Sequence, residues 1–135
     1  MNNIEVFLNA STFAVAGASQ DRSKYGNKVF RAIVASGRTV HPLNPTAVEV
    51  EGHPAFASIA DLLIVRESLS IVTPPHVTRE VIQQAIAAGV KNIRMQPGAE
   101  DDKASQAARE AGLKVIDDGS CVLVLLAIEA RKHKH

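Results

Sequence analysis

A phrase recurs along this chain: a helical stretch with apolar residues on one side, then a glycine, then a short β-branched run. It reads "AIVASGRTVHPL" at 32–43, "AIAAGVKNIRM" at 85–95 and "AREAGLKVIDD" at 108–118. Gly37, Gly89 and Gly112 stand where a helix ending in the left-handed conformation calls for a residue without Cβ, so each marks a helix-to-strand return. The apolar pattern predicts strands at about 12–17, 39–43, 69–73, 92–96 and 113–117. It predicts helices at about 25–36, 76–88, 101–111 and from 121 onward. Val29, Phe30, Ile33 and Val34 share one face of the first of these helices, and Val77, Val81, Ile82, Ala85 and Ile86 one face of the second. Pro74 and Pro75 suit a helix start, where a missing N–H costs no intrahelical bond. Residues 46–66 are less periodic, and "ASIADLLIV" at 57–65 reads as a short helix or turn.

Strands alternating with helices at this spacing imply βαβ units with right-handed crossovers. The expected fold is α/β: a Rossmann-like, doubly wound, mostly parallel five-stranded sheet with helices on both faces. The 135 residues, 46% of them hydrophobic, suit a single domain over 1–135. With 15 Lys plus Arg against 14 Asp plus Glu, the balance of charge argues against nucleic acid or a membrane surface as partner. Any anion site must come from local placement. The chain opens without a basic-then-apolar leader, and the longest apolar run, "CVLVLLAI" at 121–128, is too short to cross a bilayer. One cysteine, Cys121, excludes an internal disulfide framework and suits a reducing cytoplasm. The histidines (His41, His53, His76, His133, His135) are scattered without metal-ligand spacing, so no metal site is expected. No nucleophile elbow occurs, and Cys121 reads first as a small buried residue.

In an open parallel sheet, ligands bind outside the carboxyl ends of the strands. That rule selects Gly17–Gly26, Asn44–Pro45, Thr73–His76 and Gln96–Glu100, all rich in turn residues. Gly17 follows the first strand directly, and Ala18 and Ser19 keep the approach to a phosphate small, with a helix start beyond. The dinucleotide fingerprint nevertheless fails, because Ser19 and Arg22 stand where it needs glycines, and no P-loop triplet occurs. The second strand ends in "HPLNP", without the acid that grips the ribose in NAD sites. Arg22, Lys24 and Lys28 instead concentrate positive charge around the loop, which favours a nucleotide with an extra phosphate, coenzyme A or NADP, over NAD.

"VAGAS", "KYGNKVFRAI", "VHPLNP", "VTPPHVT" and "MQPGAE", with a lone cysteine after the fifth strand, occur in that order. Together they resemble the small CoA-binding domain proteins, which are similar to the N-terminal domain of the succinyl-CoA synthetase alpha subunit. The resemblance implies binding of coenzyme A or acyl-CoA. Gly17, Ala18 and Ser19 would hold the diphosphate, with Lys24, Tyr25 and Gly26 shaping the far side of that loop. Asn44 and Pro45 would border the adenosine, Thr73, Pro74 and Pro75 would flank pantetheine or adenine, and Gln96, Pro97 and Gly98 would face the same crevice. It also implies a binding module and not a full catalyst, since the ligase machinery of the larger relatives lies in other domains. This chain departs from the pattern in "DDGSC" and in Arg94, which replaces the usual aromatic before Met-Gln. An NADP-dependent oxidoreductase or redox sensor in the same crevice is the competing reading. A protein partner or homo-oligomer is open.

Overall fold

The computed structural model describes residues 2–62 and 67–132. In chain order, α1 (Asn3–Leu8) precedes β1 (Thr12–Ala16), and α2 (Tyr25–Ala35) leads into β2 (Thr39–Leu43). Two short strands follow, β3 (Glu49–Val50) and β4 (His53–Pro54), then one 3-10 turn at Ile59–Asp61. The remaining elements are β5 (Ser68–Ile71), α3 (Pro75–Ala88), β6 (Asn92–Met95), α4 (Asp102–Glu110), β7 (Lys114–Ile116) and α5 (Val122–Lys132).

Five strands form one sheet in the order β2-β1-β5-β6-β7, and every pairing in it is parallel. β3 and β4 pair antiparallel as a separate hairpin. Strand alternation divides the core. Ala14, Ala16, Leu69, Ile71, Ile93 and Met95 pack with Ile82 and Ala85 of α3 and Ala104 and Ala108 of α4. Phe13 and Val15 face the other way, onto Phe7 of α1, Val29, Phe30 and Ile33 of α2, and Val122 and Leu126 of α5. Strands buried on both faces are what parallel crossovers produce. The recurrent glycines behave as their positions imply: Gly37, Gly89 and Gly112 all have positive φ at helix ends.

The predicted strands and helices are present, with ends moved by a residue or two, and several details differ. α1 is an added element, started by Asn2, whose side chain accepts the Glu5 amide hydrogen. The β3–β4 hairpin is also added; two-residue strands are too short to show a period. The helix or turn expected over 57–65 is a single 3-10 turn, braced by reciprocal bonds between Ser58 and Asp61, and residues 63–66 lie outside the described residues. His133 and His135 also fall outside them. On α3, Ile82 and Ala85 are fully buried as expected, whereas Val77, Val81 and Ile86 are half-buried and Thr78 takes a buried place.

Candidate functional site

Strand order reverses at β1, which has β2 on one side and β5 on the other, so the loops after β1 and β5 leave in different directions. The gap at this carboxyl edge is a pocket of about 200 Å³, lined by Gly17, Leu43, Pro45, Thr73, Val77 and Val81 among others. Three of the sequence-predicted segments therefore meet there: Gly17, Pro45 and Thr73. A larger hollow of about 630 Å³ lies at the opposite edge, beside Gly89 and Gly112. Helix C-termini bring their negative ends to that hollow, which Lys91 and Lys114 also line, whereas the crevice lies at the carboxyl ends of the strands, where open parallel sheets bind their ligands.

Two glycines allow the close packing around the turn after β1. Gly17 has φ +89°, and a Cβ built on it would lie 2.2 Å from the Val72 carbonyl oxygen. Gly26, in the first turn of α2, would put a Cβ 1.9 Å from the Gly17 carbonyl oxygen. The close contact of helix and loop, which the dinucleotide fingerprint obtains with its third glycine, is supplied here by Gly26, nine positions after Gly17. The Gly17 amide itself donates to Leu43 O at 3.3 Å. An anion would thus meet donors further along the turn and at the start of α2.

Side chains hold the turn in shape. Ser19 Oγ accepts the Asp21 amide hydrogen at 3.0 Å, and Asp21 Oδ1 accepts from the Ser23 amide and hydroxyl. Those Ser23 bonds, with Lys24 nearby, hold the Asp21 carboxyl below its ordinary range. Buried Asn27 donates to Ser19 O at 2.8 Å, and Asn44 Nδ2 donates to Ala18 O at 2.8 Å. The amide nitrogen of Asn44 therefore fixes the loop, and its oxygen receives the Thr46 and Ala47 amides.

The hairpin supplies a residue that sequence reasoning missed. Glu51 is the non-glycine residue with positive φ among the described residues, at +49°, and forms the β3–β4 turn with Gly52. Its carboxylate accepts from Asn27 Nδ2 at 3.2 Å and from Arg22 Nη2 at 3.1 Å. Its own amide donates to Gln20 Oε1. Asn27 first, then Arg22, holds the Glu51 carboxyl below its usual range. Of the three residues expected to concentrate positive charge around the loop, Arg22 is paired with this acid. Glu51 comes from a hairpin turn and not from the end of a strand, so the rule that selects strand-end loops does not reach it.

α2 starts without a side-chain cap. Its N-cap is Lys24, which makes no capping bond, and no acidic residue occupies the first turn. By contrast α4 is capped by Asp101, whose carboxylate accepts from the Ala104 amide and from Arg79 Nε, each at 2.9 Å. An uncapped helix start leaves amide donors and the positive end of the dipole to whatever lies before it. Tyr25 stands exposed there, with Lys28 Nζ 5.4 Å from its ring centre. Across the crevice Pro74 and Pro75 open α3, and Thr73 Oγ1 shares a 2.8 Å bond with Thr78 Oγ1.

The fourth predicted segment is placed differently. Pro97 and Gly98 are exposed, but Gln96 is buried and bonded at both amide atoms. Gln96 Oε1 accepts from Arg94 Nη1 at 2.7 Å and from the Val122 amide at 3.4 Å, while Nε2 donates to Cys121 Sγ at 2.9 Å. Gln96 thereby ties β6 to the start of α5 and does not offer its amide to the crevice. Cys121 is half-buried. No cluster of three metal-ligating side chains, and no helix long and apolar enough to cross a membrane, occurs among the described residues.

A family model described as the CoA binding domain matches residues 11–127. Over 91 residues, 67% of this chain, the sequence is 30% identical to the alpha subunit of the ADP-forming acetate–CoA ligase II of Pyrococcus furiosus, of which it spans 20%. The structure matches a hypothetical protein from Pyrococcus horikoshii with a TM-score of 0.86 and 28% identity, covering 92% of this chain and 89% of that one. It also matches a dinucleotide-forming acetyl-coenzyme A synthetase 1 of Ca. Korarchaeum cryptofilum, solved with phosphate and ADP. There the TM-score is 0.76 at 28% identity, over 88% of this chain but 28% of the synthetase.

Proposed function

The chain belongs to the CoA-binding domain family, and on that premise we propose that it binds coenzyme A or an acyl-CoA in the carboxyl-edge crevice, as a binding module and not a complete ligase. The observation that carries this reading is the uncapped start of α2, pressed against the Gly17 turn by Gly26. Phosphate oxygens at that point would take the place of the missing cap. Ala18 and Ser19 border the diphosphate, and Arg22, Lys24 and Lys28 supply charge for the additional 3′-phosphate. The exposed Tyr25 ring offers a face for adenine. Pro45, Thr73, Pro74 and Pro75 wall the remainder of the ligand, with Asn44 holding the loop below it.

Titration calorimetry of the full chain with CoA and with dephospho-CoA tests the proposal. CoA is expected to bind, and loss of the 3′-phosphate to weaken binding about tenfold. No binding, or equal binding of the two, overturns it. Glu51→Gln, which frees Arg22 from its acidic partner, is expected to tighten CoA roughly threefold.

A further inference from the structure

The sheet face beneath α1 and α5 is polar where β5 and β6 meet. Leu69, Ile71, Ile93 and Met95 fill the opposite core, leaving Ser68, Ser70, Asn92 and Arg94 on this side, all buried. At the amino end the polarity is satisfied: Asn92 Nδ2 donates to Ser68 Oγ, which donates to Phe7 O. One step along, Ser70 is the register neighbour of Arg94, and neither is satisfied. Arg94 is 0% exposed, yet Nε and Nη2 have no hydrogen-bond partner, and nor does Ser70 Oγ.

The two idle donors are specific. Nη1 is taken by Gln96, and Nε–H and Nη2–H point from the same edge of the planar guanidinium. Parallel donors along one edge match the two oxygens of a carboxylate. None of the ion pairs among the described residues includes Arg94; Cys121, Asp118 and Glu100 lie near enough to favour its charge, but burial opposes it more strongly, and a buried cation without a contacting anion is costly. The nearby acids are engaged locally: Asp118 Oδ1 accepts the Ser120 amide, and Glu100 Oε1 the Gly98 amide. The start of α5 adds positive potential, because the Val122 amide shares Gln96 Oε1 with Arg94.

We propose that Arg94, Ser70 and the start of α5 form a site for a small carboxylate, bound side-on to Nε and Nη2 of Arg94. The neutral amide oxygen of Gln96 meets Nη1 alone and leaves the Nε–Nη2 edge to the carboxylate. The site needs no CoA, although its carboxylate can be either a free acid or the free end of a dicarboxylic acyl chain carried as a thioester.

Nitrogen-15 spectra of the arginine Nε–H groups of the full chain read the fork directly. Adding sodium acetate is expected to shift one Nε–H signal saturably, with sodium chloride at equal ionic strength leaving it in place. Arg94→Lys, which keeps the charge and loses the fork, identifies that signal and is expected to weaken acetate binding, read by calorimetry, about tenfold to a hundredfold. In a second arm, which rests on the CoA reading, succinyl-CoA is compared with acetyl-CoA, which has no free carboxylate. A shift with succinyl-CoA and not acetyl-CoA assigns the carboxylate to an acyl chain; a shift with acetate assigns it to a free acid. If neither produces a saturable shift, or chloride produces the same one, the proposal is overturned. The wild-type titration decides this even if the variant fails to fold, and the acetate arm stands whether or not CoA binds.

Discussion

At the scale of single residues, the site depends on atoms that are missing. Gly26 cannot gain a methyl group without displacing the Gly17 carbonyl, which is backbone and cannot swing aside. Gly26→Ala is therefore expected to cost about 3 kcal/mol in urea unfolding. Gly37 has positive φ but nothing within 4 Å of a built Cβ, so Gly37→Ala meets only the left-handed backbone penalty, about 1 kcal/mol. Equal losses at the two positions would refute the close-contact role of Gly26. From sequence, Gly17 is readable because it follows a strand, whereas Gly26 is singled out through the family resemblance alone, as shaping the far side of the loop. The contact that explains it joins two segments whose approach is a property of the folded chain. Glu51 was hidden for the same reason: its partners Arg22 and Asn27 are 29 and 24 residues away.

At the scale of elements, α4 and α3 are locked together through one carboxylate. Asp101 caps α4 and pairs with Arg79 of α3, and the Ala104 amide, then Arg79, holds its carboxyl below the ordinary value. A carboxyl whose folded pKa is depressed stabilises the protein above its unfolded pKa, and that stabilisation is lost as pH falls through the folded value. Asp21 and Glu51 are displaced in the same direction. Unfolding midpoints are thus expected to fall steadily below about pH 4, where free carboxyls titrate. In Asp101→Asn the acid slope should shrink, while a slope identical to the parent would remove Asp101 from the explanation. In the same helix pair, Ile82→Ala is expected to lose about 2–5 kcal/mol, measured by urea unfolding, because Ile82 is fully enclosed. Elements with a long apolar period, such as α2 and α3, could be read from the sequence. α1 and the hairpin could not, since α1 has 6 residues and β3 and β4 have 2 each.

At the scale of the whole molecule, the order β2-β1-β5-β6-β7 sets both the crevice and the uneven chemistry of the two sheet faces. The repeated helix-glycine-strand phrase made a parallel sheet legible, and the rule for its carboxyl edge located the loops that meet there. Which way each strand residue points is harder to foresee for a strand buried on both sides, because no polar alternation marks the faces. Arg94 could be seen as out of place in the chain, but only the pairing with Ser70 shows a polar seam inside the layer.

The central place of β1 also has a consequence during synthesis. β2 lies within 31 residues of the start of β1 and can pair early, but the other edge of β1 waits for Ser68–Ile71. Until those residues leave the ribosome, Phe13–Ala16 present an open, apolar backbone edge, the kind that recruits strands from neighbouring molecules. A chain halted near residue 60 should accordingly associate with itself, and the full chain, in which β5 covers that edge and β6 covers β5, should not.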